Sequence, residues 1–107
     1  LAGKEMTIGR FYQQNAQPIA AMGRFKSVID RYQTTSHTPE ALYRLVALDL
    51  TLGLRDDAQR NAAVLGANFP GNRWYSDAYK LMVSKGLKPI RVGPKNVKSL
   101  PEKLGIG

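Results

Sequence analysis

The 107-residue sequence contains no cysteine, and this absence excludes several classes of protein. Without thiols there can be no disulfide framework, no thiolate zinc site and no cysteine nucleophile. No stretch approaches the roughly 18 consecutive apolar residues of a membrane-spanning helix. Aromatic residues make up only 8% of the chain. The length suits one domain, because two full-sized domains need a longer chain.

Acidic residues are also scarce, and the excess of positive charge is uneven along the chain. The sequence has 16 basic and 8 acidic residues, a formal charge of +8. Residues 1–84 hold ten basic and seven acidic side chains, whereas residues 85–107 hold six and one. The basic segment 85–107 has three alternative roles. It could bind nucleic acid or anionic lipid through its charge, bind an acidic protein surface, or simply keep the chain soluble.

Apolar residues recur every three or four positions in five consecutive segments, which predicts five amphipathic helices. In the first two helices, Ile8, Phe11, Tyr12 and Ile19 are expected on the apolar side. Helix breakers and capping residues separate the segments. The predicted helices cover about residues 4–14, 17–32, 39–52, 56–69 and 73–83.

Individual residues are expected to start and end these helices. Thr38 is predicted to cap the third helix and Asn72 the fifth, because their side-chain oxygens accept from free backbone N–H groups. Asn15 is predicted to end the first helix in the left-handed conformation, and Gly53 and Gly86 to close the third and fifth.

The helical pattern repeats after 37 residues, which aligns Ala21 with Ala58 and Phe25 with Ala62. Repeated helix pairs of this length are typical of a helical solenoid, and the alternative is an ordinary five-helix bundle. We therefore predict an all-α, helix-turn-helix solenoid followed by an extended basic C-terminal tail. The domain covers residues 1–86, with repeats at about 3–35 and 38–71, a terminal helix at 73–84 and the tail at 87–107.

Two levels of resemblance support this architecture. Ile8, Tyr12, Ala21 and Phe25 in the first repeat, with Pro70 in the second, resemble the tetratricopeptide (TPR) motif. Longer strings are more specific, and they resemble the C-terminal repeats of the BamD family of outer-membrane protein assembly lipoproteins over about residues 3–83. These strings are EMTIGRFY at 5–12, AAMGRFKSVI at 20–29, YQTTSHTPEALYRL at 32–45 and AAVLGANFPGNRWY at 62–75.

The resemblance implies a protein–protein scaffold and no enzyme. It implies docking on the periplasmic POTRA domains of BamA, contact with other lipoproteins of the assembly complex, and unfolded outer-membrane proteins as further ligands. The expected location is the periplasmic side of the outer membrane, with a lipid anchor before Leu1, so that the chain is a fragment. No cofactor and no nucleic-acid partner are expected. A generic TPR peptide-binding module and a basic-tail binder of nucleic acid or anionic membranes remain alternatives.

Arg24 and Arg31 are the first candidates for partner contact. They lie seven positions apart on the second predicted helix and so share one face. Arginine forms bidentate pairs with carboxylates and is enriched at interface hot spots. The resemblance places Arg24 in the region that couples to BamA. The alternative is an ordinary solvated stripe on the helix.

Trp74 and Tyr75 open the fifth helix, whose outer face either caps the solenoid or meets a partner. Tyr43 and Arg44 on the third helix are further candidates of the same kind. No catalytic or metal-binding residues are expected, since the single histidine, His37, has no clustered partners. The acidic residues 56–57 open a helix, where carboxylates interact favourably with the helix dipole.

Overall fold

The computed structural model describes residues 1–32 and 35–90 of the chain, and these residues form five helices and no strand. The predicted all-α class and the five predicted helices are therefore confirmed over this part of the chain. From position 91 onward, the predicted basic tail lies outside the described residues. The helices are α1 (Ala2–Gln14), α2 (Pro18–Arg31), α3 (Thr38–Thr51), α4 (Arg55–Asn68) and α5 (Arg73–Ser84).

The helices pack mainly with their neighbours in sequence. The most extensive contacts are those of α1 with α2 and of α3 with α4, and each of these two pairs is joined by only three residues. Short connections of this kind make antiparallel helical hairpins. Helix α3 also packs against α2 and α5, so it is the central element.

Three of the predicted helix ends are confirmed. Gly53 and Gly86 follow α3 and α5 with φ angles of 76° and 75°, a left-handed conformation that costs glycine little because it has no Cβ. Asn72 caps α5, and its side-chain oxygen accepts a hydrogen bond from the Trp74 backbone N–H at 2.9 Å. These signals are local, so the sequence is sufficient to locate them.

Two other predictions about helix ends are wrong. Thr38 is the first residue of α3 and His37 takes the N-cap position, while the Thr38 hydroxyl donates to the backbone oxygen of Tyr32 at 3.2 Å. Asn15 has a φ of −97°, and Ala16 adopts the left-handed conformation with a φ of 57°. The Asn15 side chain instead donates to a carbonyl oxygen of the last turn of α1 at 2.8 Å, and the Asn15 backbone N–H donates to the same oxygen at 3.1 Å.

The core is one cluster of buried side chains from all five helices, and the predicted apolar side of α1 is wrong in detail. Met6 and Gly9 are buried, whereas Phe11 is 58% exposed and Ile19 at the start of α2 is 70% exposed. A Cβ atom on Gly9 would lie 2.6 Å from the Phe25 ring, so α1 approaches α2 through this glycine. Phe11 follows Gly9 by two residues, more than half a turn, and therefore faces solvent. The largest fully buried apolar side chains are Phe25, Met6, Ile29, Leu42, Leu45, Leu65, Met82, Val28 and Val46.

Candidate partner-binding site

Arg24 lies on α2 beside the buried Phe25, and its guanidinium reaches across to α1. The Nη1 atom lies 3.3 Å from Oε1 and 3.5 Å from Oε2 of Glu5. The Arg24 side chain is 41% exposed and the Glu5 side chain is 17% exposed. An ion pair of this exposure adds at most about 1 kcal/mol to stability, so its main effect is on the orientation of the Arg24 side chain.

A shallow depression surrounds this ion pair and includes the second predicted arginine. Gly23 leaves space in it, because apart from its chain neighbours and the nearby backbone of α2 no atom lies within 4 Å of the position that a Cβ would occupy there. Arg31 is exposed, and its side chain makes no ion pair or hydrogen bond within residues 1–32 and 35–90. We name this surface the Arg24 depression, and its lining residues are Glu5, Ala20, Gly23, Arg24, Ser27 and Arg31. The structure thus brings Arg24 and Arg31 to one surface.

Tyr43, Arg44 and Trp74 form a second group, where α3 meets α5. The ring centroids of Tyr43 and Trp74 are 5.3 Å apart and the rings are tilted by 42°. The guanidinium carbon of Arg44 lies 5.9 Å from the Trp74 ring centroid, and that of Arg73 lies 4.6 Å from it. Cations over an aromatic face are attracted by its quadrupole, so the Arg44 contact stabilises the junction between the two helices, whereas Arg73 lies on the same helix as Trp74.

Arg44 is also part of a polar network that joins α3 to α1. Its Nε donates to Glu40 at 2.7 Å and its Nη1 donates to Gln13 at 2.8 Å. Arg10 donates to the same Glu40 carboxylate at 3.0 Å. Burial would raise the pKa of Glu40, but the hydrogen bonds and charges of Arg44 and Arg10 outweigh it and lower that pKa. Arg44 is therefore held by several partners within the chain.

Tyr75 does not join this second group, although it follows Trp74 directly. A Cβ on Gly66 of α4 would lie 2.6 Å from the Tyr75 ring, so Tyr75 packs closely on α4. The Tyr75 ring also makes an edge contact with Tyr79, with centroids 6.2 Å apart. Trp74 faces α3 and Tyr75 faces α4, and both therefore contribute to the packing of α5.

Sequence reasoning missed three polar residues that contact these arginines, and a fourth, Arg10, that pairs with the same glutamate as Arg44. The spacing of Glu40 and Arg44 is i,i+4 on one helix, which is a pairing signal that the sequence contains. Glu5, Arg10 and Gln13 all lie on α1 and contact residues 19 to 31 positions away. No local pattern indicates such contacts, because they depend on the rotation of α1 against α2 and α3.

His37 lies in the turn before α3, where its backbone N–H donates to the Thr35 hydroxyl at 3.3 Å. In the part of the chain that the structure describes, no three His, Cys, Asp or Glu side chains are grouped as a metal site. None of the five described helices is long and apolar enough to cross a membrane.

Comparison with known families supplies the wider context. The sequence model of YfiO, described as an outer membrane lipoprotein family, matches residues 1–65. The chain belongs to the YfiO family. The matched region contains Arg24, Arg31, Tyr43 and Arg44, and the resemblance to outer-membrane assembly lipoproteins inferred from the sequence is confirmed.

Relatives of this YfiO-family chain carry the name outer membrane protein assembly factor BamD. The relative from Caulobacter vibrioides is 66% identical over 89 residues, which are 83% of this chain and 29% of that protein. The relative from Rickettsia prowazekii is 57% identical over 82 residues, 77% of this chain and 33% of that protein. The chain spans about a third of the length of these curated relatives. No solved structure matches it significantly.

Proposed function

We propose that this YfiO-family chain is a docking scaffold in the assembly of outer-membrane proteins, and that it binds a periplasmic POTRA domain of BamA. The identity of its relatives as assembly factors supports the role in assembly. The Arg24 depression is the main support for the docking site. Arg24 and Arg31 both line it, and among the described residues only Arg24 has an ion-pair partner. Two exposed guanidinium groups favour a partner that presents carboxylates.

The proposed mechanism is binding in a fixed orientation, without a catalytic step. Arg24 is adjacent in sequence to Phe25, which is fully buried against Gly9, so the backbone that carries the arginine is held by the core. A rigid backbone lowers the entropy lost when the side chain engages a partner. The antiparallel hairpins α1–α2 and α3–α4 form a TPR-like solenoid in this proposal, and they keep the depression in register with neighbouring surfaces.

The proposal places the domain on the periplasmic side of the outer membrane, where a lipid anchor in another part of the protein would hold it. Other lipoproteins of the assembly complex and unfolded outer-membrane proteins are proposed as further ligands. The Tyr43–Trp74 contact is proposed as internal packing first, because both rings are engaged across the α3–α5 junction.

A charge reversal at Arg24 tests the docking site. Arg24→Glu is expected to weaken binding to a BamA periplasmic fragment by about tenfold or more, the effect of losing one interface hot spot. Lys80→Glu is the matched control, because Lys80 is exposed on α5 and makes no ion pair among the described residues. Circular dichroism should show the same helical content in both variants. Equal binding of Arg24→Glu and Lys80→Glu would contradict the proposed site.

A further inference from the structure

Glu5 contacts Arg24 in a manner that leaves most of the guanidinium available. Both carboxylate oxygens approach a single nitrogen, Nη1, at 3.3 and 3.5 Å. The Nε and Nη2 atoms, which share one edge of the planar group, have no hydrogen-bond partner among residues 1–32 and 35–90. That edge is one of the two through which arginine binds a carboxylate with two parallel hydrogen bonds.

The two side chains also differ in depth. Glu5 is 17% exposed and lies on α1, one residue before the fully buried Met6. Arg24 is 41% exposed and lines the depression. The more deeply buried Glu5 therefore holds the Nη1 atom of Arg24. The Arg24 side chain, which has four rotatable bonds, thus keeps a preferred orientation in the free protein.

We infer that Glu5 is a positioning residue for docking, because it fixes the Arg24 guanidinium through Nη1 and leaves the Nε–Nη2 edge open to a carboxylate of the partner. This inference rests on the proposed function. It assigns to Glu5 an effect on the partner that acts through Arg24, without direct contact with the partner. Arg31, which makes no ion pair among the described residues, supplies the second positive charge on the same depression and offsets the negative charge of Glu5.

If Glu5 acts by positioning Arg24, the effect of replacing Glu5 on binding requires Arg24, whereas a purely structural role of Glu5 does not. Glu5→Ala is expected to weaken binding of the BamA periplasmic fragment by about three- to tenfold, the range that corresponds to ordering one long side chain on binding. In a chain that already carries Arg24→Ala, the same Glu5→Ala change is expected to have no further effect. Damage to the fold would instead weaken binding by a similar factor in both backgrounds.

Glu40→Ala is the matched control. Glu40 is also paired with arginine and is 15% exposed, close to the value for Glu5, but it belongs to the network between α1 and α3. The variant changes the net charge by the same amount, so it corrects for long-range electrostatic attraction. Its affinity for the fragment is expected to stay within about twofold of the parent, a difference well below that of one side-chain contact.

The possible outcomes separate the inference from the proposed function. If Arg24→Ala binds as well as the parent, the docking site and this inference both fail. If Arg24→Ala binds weakly while Glu5→Ala binds equally well or more tightly, the docking site stands and the positioning role of Glu5 is overturned. A similar loss from Glu5→Ala with and without Arg24 also overturns it. Glu5→Gln, which keeps an oxygen acceptor for Nη1, is expected to recover part of the lost affinity.

Discussion

Asn61 on α4 donates a hydrogen bond from Nδ2 to the Asp49 carboxylate on α3 at 2.8 Å, and the two side chains are only 3% and 1% exposed. Burial raises the pKa of Asp49 to about 6, the nearby charge of Asp57 adds to this rise, and the hydrogen bond from Asn61 opposes it. The Oδ1 atom of Asn61 is buried and accepts no hydrogen bond from the described residues. A protonated Asp49 can supply the missing donor.

This pair predicts a stability that declines as pH rises. The native pKa of Asp49, about 6, lies above its ordinary value of 3.8, so the folded state keeps a proton that the unfolded state has lost. The contribution of Asp49 to the free energy of unfolding is therefore full below pH 3.8 and is lost as pH rises towards 6. At 1.36 kcal/mol per pKa unit, the loss is on the order of 3 kcal/mol.

Asp49→Asn tests this relationship, because it keeps the shape of the side chain and removes the charge. The variant is expected to be more stable than the parent at pH 7 by about 1–3 kcal/mol, and the difference should vanish near pH 4. Urea unfolding followed by circular dichroism at both pH values measures it. A variant that is less stable than the parent at pH 7 would show that the ionised carboxylate is the favoured form in the fold.

Glu40 predicts the opposite dependence on pH. Its pKa is lowered by Arg44 and Arg10, so its contribution to stability is present above its ordinary value of 4.5 and is lost as pH falls through the lowered pKa. Glu40→Gln is expected to cost about 1–3 kcal/mol at pH 7, the range for hydrogen bonds to charged groups, and this cost should shrink as pH falls below 4.5. Asp57→Asn is the control, since its pair with Arg60 is exposed and should change stability by less than about 1 kcal/mol.

The sequence predicts the helices and the shared face of the two arginines, but it does not predict which residues those arginines contact. Helix positions follow from local periodicity and from residues such as Gly53 and Asn72, so the five helices could be predicted from sequence. The seven-residue spacing of Arg24 and Arg31 on one helix likewise predicts a shared face. The partners of these arginines could not be predicted, because Glu5 belongs to another helix, and its position depends on how α1 is rotated in the packed structure.

Gly9 is the reason why the predicted buried side of α1 is wrong. Glycine has a low helix propensity, so the sequence gives no reason to place Gly9 in the core, and the larger apolar residue Phe11 is the obvious candidate for it. The structure reverses this order, because the ring of Phe25 occupies the space that a Cβ on Gly9 would fill. Close contact between helix backbones and rings depends on two distant positions at once, and one helix alone does not contain that information.

Replacing this glycine tests the close approach of α1 to α2. Gly9→Ala is expected to destabilise the chain by about 1–3 kcal/mol, because the added Cβ would lie 2.6 Å from the Phe25 ring and force it to move. Gly23→Ala on α2 is the matched control, since no atom lies within 4 Å of its Cβ position. This control should be neutral or up to about 1 kcal/mol more stable through higher helix propensity. Thermal unfolding of both variants distinguishes the two effects. Equal midpoints would contradict the packing at Gly9.

Trp74 provides a direct probe of the junction between α3 and α5, because it is the single tryptophan of the chain. Arg44→Met keeps most of the side-chain length but removes the charge over the ring and the bonds to Glu40 and Gln13. We expect a loss of about 1–3 kcal/mol in the free energy of unfolding, together with stronger quenching of Trp74 fluorescence by acrylamide.

Arg73→Met is the comparison for this experiment. The Arg73 side chain lies nearer to the Trp74 ring, at 4.6 Å from its centroid, but it is 75% exposed, and its ion pair with Asp77 is 3.9 Å long. An exposed cation–π contact contributes about 0.5–1 kcal/mol, so this variant should lose less stability than Arg44→Met. If the two variants lose equal stability, the ring contact alone accounts for the effect of Arg44, and its hydrogen bonds to α1 and Glu40 contribute nothing measurable.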